Sequence, residues 1–368
     1  MLLIYGKSIA QINSYSRLSL DTIETISLSP GLKSVLFNSD KTKLYVFNLE
    51  KMNIKEFDRS KRKCLREFTF RPHQSDGWDY QKDKAIPSFA EKPVEGSFSH
   101  HDSLLWVSLH NAGGVSAIPL TETASNKSEL KALPYKTIYV KECNVMAQDT
   151  IFSPFFKTGK TPKVIAISPD RKYMLVSNWH AKNLSIFEIN SSMFPYARKI
   201  KDISLSGIPR GIAICPDFQK AFITIINDQR VAVLNTETWK LEKSIPVYSR
   251  PRHIVAGKEG QLFISFTNPP RVACLQASSG KTLFKSTTGL QPRTIALSTD
   301  QRFLFVTCYE GNAIEVFKIN ARSFERIYRI PCKGKPVGID LYEDQDKLEA
   351  WICNYLSGTL NVISFTKK

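Results

Sequence analysis

The chain has 368 residues, and no apolar run in it approaches the roughly 18 residues that a membrane helix needs. A helical membrane protein is therefore excluded. Cysteine is sparse: the 7 present are too few for a small disulfide scaffold, and their number is odd. No two of them form a C-x-x-C pair, so zinc ribbons, thioredoxin-type motifs and c-type haem attachment find no support. Cys64, Cys143, Cys215, Cys274, Cys308, Cys332 and Cys353 are read as reduced thiols, several of them buried in apolar runs as small hydrophobes. There is no G-x-S-x-G elbow, no P-loop and no H-E-x-x-H. The opening Met1-Leu2-Leu3-Ile4-Tyr5-Gly6-Lys7 lacks a basic region followed by a long apolar core, so it does not read as a signal peptide. Either the protein stays inside the cell or an export signal lies outside this sequence.

Negative charge is the scarcer sign. Lys plus Arg is 51 and Asp plus Glu is 34, a formal net charge of +17. Long-range attraction then favours anionic partners. The basic residues are dispersed, however, and the densest run, Arg59-Ser60-Lys61-Arg62-Lys63, falls where a solvated hairpin turn is expected. Nucleic acid ranks last among partners, because only the net charge speaks for it.

What the chain does have is a repeat. Pro162-Lys-Val-Ile-Ala-Ile-Ser-Pro-Asp170 returns at Pro209, Pro251, Pro292 and Pro336, with spacings of 47, 42, 41 and 44 residues and an acidic residue eight positions after each proline. Two looser copies begin at Leu32 and Pro93. Each copy holds a short apolar strand, a polar turn where an Asp can bond nearby backbone N–H groups, a second apolar strand, an alternating third strand and often a fourth. Four short strands per repeat with polar turns is the pattern of a β-propeller blade. Seven copies predict an all-β, seven-bladed propeller of four-stranded antiparallel blades, one domain over 1–368. Blades occupy 30–365, with insertions at 71–92 and 144–161. The last copy supplies only three strands, so the region 1–29, through Asp21–Leu28, is expected to close the ring as the fourth.

The phrase Ile165-Ala-Ile-Ser-Pro-Asp-Arg-Lys-Tyr-Met-Leu-Val-Ser-Asn178, with Phe303-Leu-Phe-Val-Thr307, resembles the core of the YVTN repeat family of β-propellers. That resemblance implies a bacterial cell-envelope setting, periplasmic or surface, and a propeller related to surface-layer-type proteins and lactonases. It specifies a fold and no activity.

Two groups of residues are candidates for function. The insertions carry Trp78, Tyr80, Phe155 and Phe156, read as partner-binding aromatics on long connections. The alternative is that they fold down and fill gaps between blades. The residue after each repeat's leading position reads Lys33, Val94, Lys163, Arg210, Arg252, Arg293, Val337. These positions begin the innermost strands, so the cations are expected to converge on the channel mouth and to bind a carboxylate or phosphate there. The alternative is that each pairs with a neighbouring blade. His110, Trp179, His180, Tyr309 and Tyr355 are placed in turns on the same rim. Gly211 and Gly338, one position on, fit crowding near the axis.

Three readings of function follow. The first is a non-enzymatic, monomeric binding or scaffold propeller recognising a macromolecular or anionic partner on the loop-rich face. The second is a lactonase-like hydrolase of an anionic sugar derivative, with Arg210, Arg252 and Arg293 holding the anion and weak catalytic candidates in His253, Asp340 and Glu95. Asp340, which interrupts an apolar strand, is expected to pair with a channel Arg or to act as a catalytic carboxylate. No motif implies a cofactor. The third reading, a haem or metal carrier, would use His110, His180 and His253.

Overall fold

A computed structural model describes residues 15–79, 82–121, 130, 133–190 and 194–368. Strands dominate, and they assemble as antiparallel four-stranded sheets set around an axis, the architecture of a β-propeller. The innermost strands are Leu32–Phe37, Pro93–Ser99, Pro162–Ile167, Pro209–Ile214, Pro251–Ala256, Pro292–Leu297 and Pro336–Glu343. Each touches the next in that order, and the last touches the first. All but the first open on a proline, where the missing N–H costs no ladder bond.

Burial falls from the second strand outwards. Leu104–Leu109 and Phe303–Cys308 are buried along their whole length, whereas the outer strand Ser323–Pro331 is mostly accessible. The core therefore lies between sheets. Leu175 and Ile186 of one sheet pack with Ile223 and Leu234 of the next, and Phe303 and Val316 pack with Leu348 and Ile363. A sheet that is apolar on both faces has to be covered on both, and a closed ring does that.

The ring closes as expected. Leu18–Ser27 pairs with Thr359–Lys367, with Ile23 opposite Ile363, and supplies the fourth strand of the last sheet.

Several expectations are corrected. Part of residues 144–161 is no loose connection: Asp149–Lys157 is a strand, paired with both Gly114–Pro119 and Tyr135–Glu142. Tyr135–Glu142 also pairs with Lys63–Phe70, so two neighbouring sheets merge at their outer edges into one of nine strands. Next to this seam Cys64 and Cys143 form a disulfide, so these two are not reduced thiols. Cys215, Cys274, Cys308, Cys332 and Cys353 are free, all buried except the partly accessible Cys215. Nor is the basic turn at 59–63 fully solvated. Arg62 donates to Glu349 Oε1 at 2.7 Å and stacks on Trp351, while Arg59 lies 3.5 Å over the Tyr342 ring. The turn clamps the first sheet to the last.

Candidate ligand-binding site at the channel mouth

Every innermost strand carries a β-bulge just after its first residue. The register slips between Leu32 and Ser34, Pro93 and Gly96, Pro162 and Ile165, Pro209 and Ile212, Pro251 and Ile254, Pro292 and Ile295, and Pro336 and Gly338. A bulge re-aims the side chains on either side of it. Here it spans the positions of Lys33, Glu95, Lys163, Arg210, Arg252, His253 and Arg293.

The bulges are held by a device that the sequence reading missed. A buried hydroxyl on each of five second strands binds the bulge of its own sheet and the carbonyl of the second residue in the next innermost strand. Ser177 Oγ accepts the Val164 N–H at 3.1 Å and donates to the Arg210 carbonyl at 3.1 Å. Thr224 joins Gly211 to Arg252, Ser265 joins His253 to Arg293, Ser108 joins Glu95 to Lys163, and Thr307 joins Thr294 to Val337. The signal was visible: a lone Ser or Thr at one position of otherwise apolar runs. Glycines mark the crowding. A Cβ on Gly338 would stand 2.7 Å from Ser34 Cα, and one on Gly211 would stand 2.9 Å from the Ile254 nitrogen.

The cations lie close enough to act on one another. Arg210 Nη2 donates to Glu95 Oε1 at 2.7 Å, bridging two non-adjacent sheets. Its Nη1 is buried with no acceptor among the described residues, and so is Nε of Arg293. Arg210 and Lys163 are each only 7% exposed. The mutual effect is strong. Burial, with Arg293, Arg210 and Arg252 close by, holds Lys33 well below the usual lysine range. Burial and Lys33 do the same to Lys163. Burial and Arg293 depress Arg252, and burial takes Arg293 down to about 10. Burial tends to raise Glu95, but Arg210 overrides it and holds the carboxyl below its ordinary value. His253 is pushed down to about 4, chiefly by burial, against the pull of Glu95.

The rim residues come from turns after the second strands. Lys33 lies 5.6 Å from the Tyr355 ring centroid, Lys163 5.3 Å from Trp179, and Arg293 only 3.5 Å from Tyr309. Such stacking eases the burial of a cation without neutralising it. His110 Nδ1 meets Asn111 Oδ1, and its pKa falls well below the usual histidine value through burial and the charge of Lys163. His180, lowered by burial and by Lys160, meets Thr161 Oγ1 at 2.7 Å.

The insertion at 71–92 is a hairpin, Gln74–Asp79 with Lys84–Phe89, leaning on this rim. Trp78 packs edge-on against His180 at 6.3 Å, and Asn111 Nδ2 donates to the Phe89 carbonyl at 2.8 Å. Trp78 and Phe89 remain 37% and 40% exposed. Tyr80 lies outside the described residues. Phe155 and Phe156 are not partner-facing. Both are 8% exposed and belong to the core between sheets, with Phe156 against Trp106 at 5.4 Å. Aromatics in an aperiodic stretch read as loop residues, and here they are the two faces of a buried strand.

Of the catalytic candidates, Asp340 alone stands apart from Arg210, Arg252 and Arg293. Glu95, His253 and Asp340 line a cavity of about 600 Å³ inside the channel, whose walls include Thr294, Gly338 and Lys41 but none of Arg210, Arg252 or Arg293. Asp340 pairs with no channel arginine. It accepts the Phe37 and Leu341 N–H groups, both at 2.8 Å, and meets Lys41 Nζ at 3.4 Å, tying the last sheet to the first. Glu95 and His253 thus reach both this cavity and the arginines, Glu95 through its bond to Arg210 and His253 as the neighbour of Arg252, whereas Asp340 does not. Among the described residues no three His, Cys, Asp or Glu side chains come together as a metal site, so His110, His180 and His253 form no such set.

Comparison with known proteins agrees with this architecture. Residues 180–354 match the Choice-of-anchor I domain. Antigen Lp49 of Leptospira interrogans is 24% identical over 163 residues, which are 42% of this chain and 35% of that protein. The chain therefore spans about a third of the length of this curated relative. Two solved structures are similar in fold. Virginiamycin B lyase of Staphylococcus aureus has a TM-score of 0.61 at 12% identity, covering 93% of this chain and 98% of its own. Hydrazine synthase of Kuenenia stuttgartiensis has a TM-score of 0.68 at 14% identity, covering 92% and 96%. At such identities the likeness is one of fold.

Proposed function

We propose that this chain is a seven-bladed, monomeric binding propeller of the bacterial cell envelope that holds an anionic group of its partner in the channel mouth. One observation carries the reading: Arg210 Nη1 and Arg293 Nε are buried without acceptors among the described residues, among five neighbouring cations faced by Glu95 and, at Arg293, by Glu310. Buried polar atoms are nearly always satisfied, and charged ones left open ask for a partner. The match to a choice-of-anchor domain and the likeness to a Leptospira antigen support a surface or envelope setting. The Cys64–Cys143 disulfide suits an oxidising compartment, and the YVTN-like phrase points the same way. Binding is favoured over turnover because Asp340 is engaged in tying the last sheet to the first and Glu95 in holding Arg210.

The test is thermal unfolding with sodium salts of acetate, succinate, sulfate and phosphate at fixed ionic strength. At least one anion is expected to raise the midpoint in a saturable way, and Arg252→Gln with Arg293→Gln to remove the rise. Midpoints that track ionic strength alone, whatever the anion, would overturn the reading.

A further inference from the structure

An anion site of this kind leaves the class of its ligand open. Charge and donor geometry narrow it. The mouth gathers Lys33, Lys163, Arg210, Arg252 and Arg293 against Glu95, and His253 contributes no charge near neutrality. Glu95 spends its charge on one nitrogen of Arg210. The donors come from separate strands: Nη1 of Arg210 and Nε of Arg293, open among the described residues, the guanidinium of Arg252, and the ammonium groups of Lys33 and Lys163, which lie 5.6 and 5.3 Å from the Tyr355 and Trp179 ring centroids. They surround the axis and do not form one planar fork.

A carboxylate offers one negative charge and two oxygens in a plane, which suits a single arginine. It would leave most of these cations unmatched. A phosphate group carries about −1.5 to −2 charge near pH 7 and three acceptor oxygens pointing in different directions. It can take donors from several sheets at once. We infer that the mouth is a site for a phosphate-type polyanion, a phosphate monoester or pyrophosphate, in which Arg210, Arg252 and Arg293 each supply donors to a different oxygen. The inference rests on the anion-binding reading and sharpens it.

Glu95 gives the inference a signature of its own. It holds Arg210 by Nη2 and leaves Nη1 open, but its charge opposes any polyanion nearby. Glu95→Gln keeps an acceptor for Nη2 and removes that opposition. A residue that merely props up the mouth would weaken binding when changed. The electrostatic account requires the variant to bind more tightly.

The experiment is isothermal titration of the whole chain with pyrophosphate, glycerol phosphate, succinate and acetate at matched ionic strength. Flotation with phosphatidylcholine vesicles, with and without phosphatidic acid, runs beside it. Pyrophosphate is expected to bind most tightly and acetate least. Arg252→Gln or Arg293→Gln is expected to weaken pyrophosphate about tenfold each. Glu95→Gln should tighten it severalfold, and Lys285→Gln with Arg322→Gln, exposed charges at the outer edges of the sheets, should change nothing. Tight soluble binding without flotation assigns the phosphate to a soluble or polymer-borne ester, and flotation that needs phosphatidic acid assigns it to a lipid headgroup. Acetate or succinate binding as tightly as pyrophosphate would overturn this inference and leave the anion site standing. Weaker binding by Glu95→Gln would overturn it too. No saturable binding of any anion would remove the anion site itself.

Discussion

The two ends of the channel are made by the same strands a few residues apart, and they carry opposite chemistry. At the inner cavity the acids are fully engaged. Asp340 ties its sheet to Phe37, and Glu343 accepts the Thr299 N–H at 2.7 Å and meets Lys367 Nζ at 3.0 Å. At the mouth the cations outnumber their partners, and atoms of Arg210 and Arg293 are open. The repeated strand supplies geometry to both ends. What distinguishes them is whether the charged atoms are used in holding sheets together or left over. Unused buried charge on a rigid scaffold weakens the free protein, and real proteins keep it mainly at sites that bind something.

The contrast breaks most visibly at Arg210, the mouth cation that pairs with Glu95. Arg210→Ala leaves the partly exposed Glu95 carboxylate without its ion-pair partner, and is expected to cost about 3 kcal/mol in urea unfolding. Arg252→Ala removes a charge that lowers the stability of its neighbours, and is expected to cost much less or to stabilise. Equal losses at the two positions would mean that Arg252 is also engaged in structure.

A second effect, of up to about 3 kcal/mol, concerns pH. His253, at about 4 in the fold against an ordinary 6.5, binds its proton later than the unfolded chain does. Stability should therefore rise with pH between about 4 and 6.5 and level off above. His110, also lowered, adds to the slope in the same direction. His253→Gln should flatten the curve over that window, read as urea midpoints at pH 4.5, 5.5 and 6.5. An unchanged slope would place His253 in water and remove it from the partition between mouth and cavity.

At the cavity end, Asp340→Ala strands the Phe37 N–H and is expected to cost about 1–3 kcal/mol. Pyrophosphate binding at the mouth should not change. A drop in both would join the two ends into one site.

Much of this was legible in the sequence, for reasons that differ by element. The leading prolines and trailing acids give the sheets, because a strand opening and a polar turn each demand particular residue types. The cations were found because a repeat puts equivalent positions at equivalent places. Asp340 was misread because its partner is the backbone of Phe37, 303 residues away, and backbone partners leave no trace in composition. Phe155 and Phe156 were misread because the long segment before Asp149–Lys157 breaks the repeat spacing, and with it the periodicity that marks a strand. The pairing of Cys64 with Cys143 depends on the edge-to-edge seam, which no local pattern announces. The bulges were invisible too: they follow from register, and register belongs to pairs of strands.

The smallest predicted effect tests the link between those bulges and the mouth. Ser177 and Ser185 are both fully buried hydroxyls of the same sheet. Ser177 binds the Val164 N–H and the Arg210 carbonyl, whereas Ser185 donates to Asp202 at 2.6 Å, away from the axis. Changing either to Ala is expected to cost about 1–2 kcal/mol by urea unfolding. Only Ser177→Ala releases the backbone that aims Arg210, so only it should weaken pyrophosphate binding, by a few-fold. If the two variants lowered affinity alike, general loosening of the sheet would explain the change, and the hydroxyls would have no part in aiming the cations. If neither lowered it, the ion pair of Arg210 with Glu95 would suffice to set the geometry of the mouth.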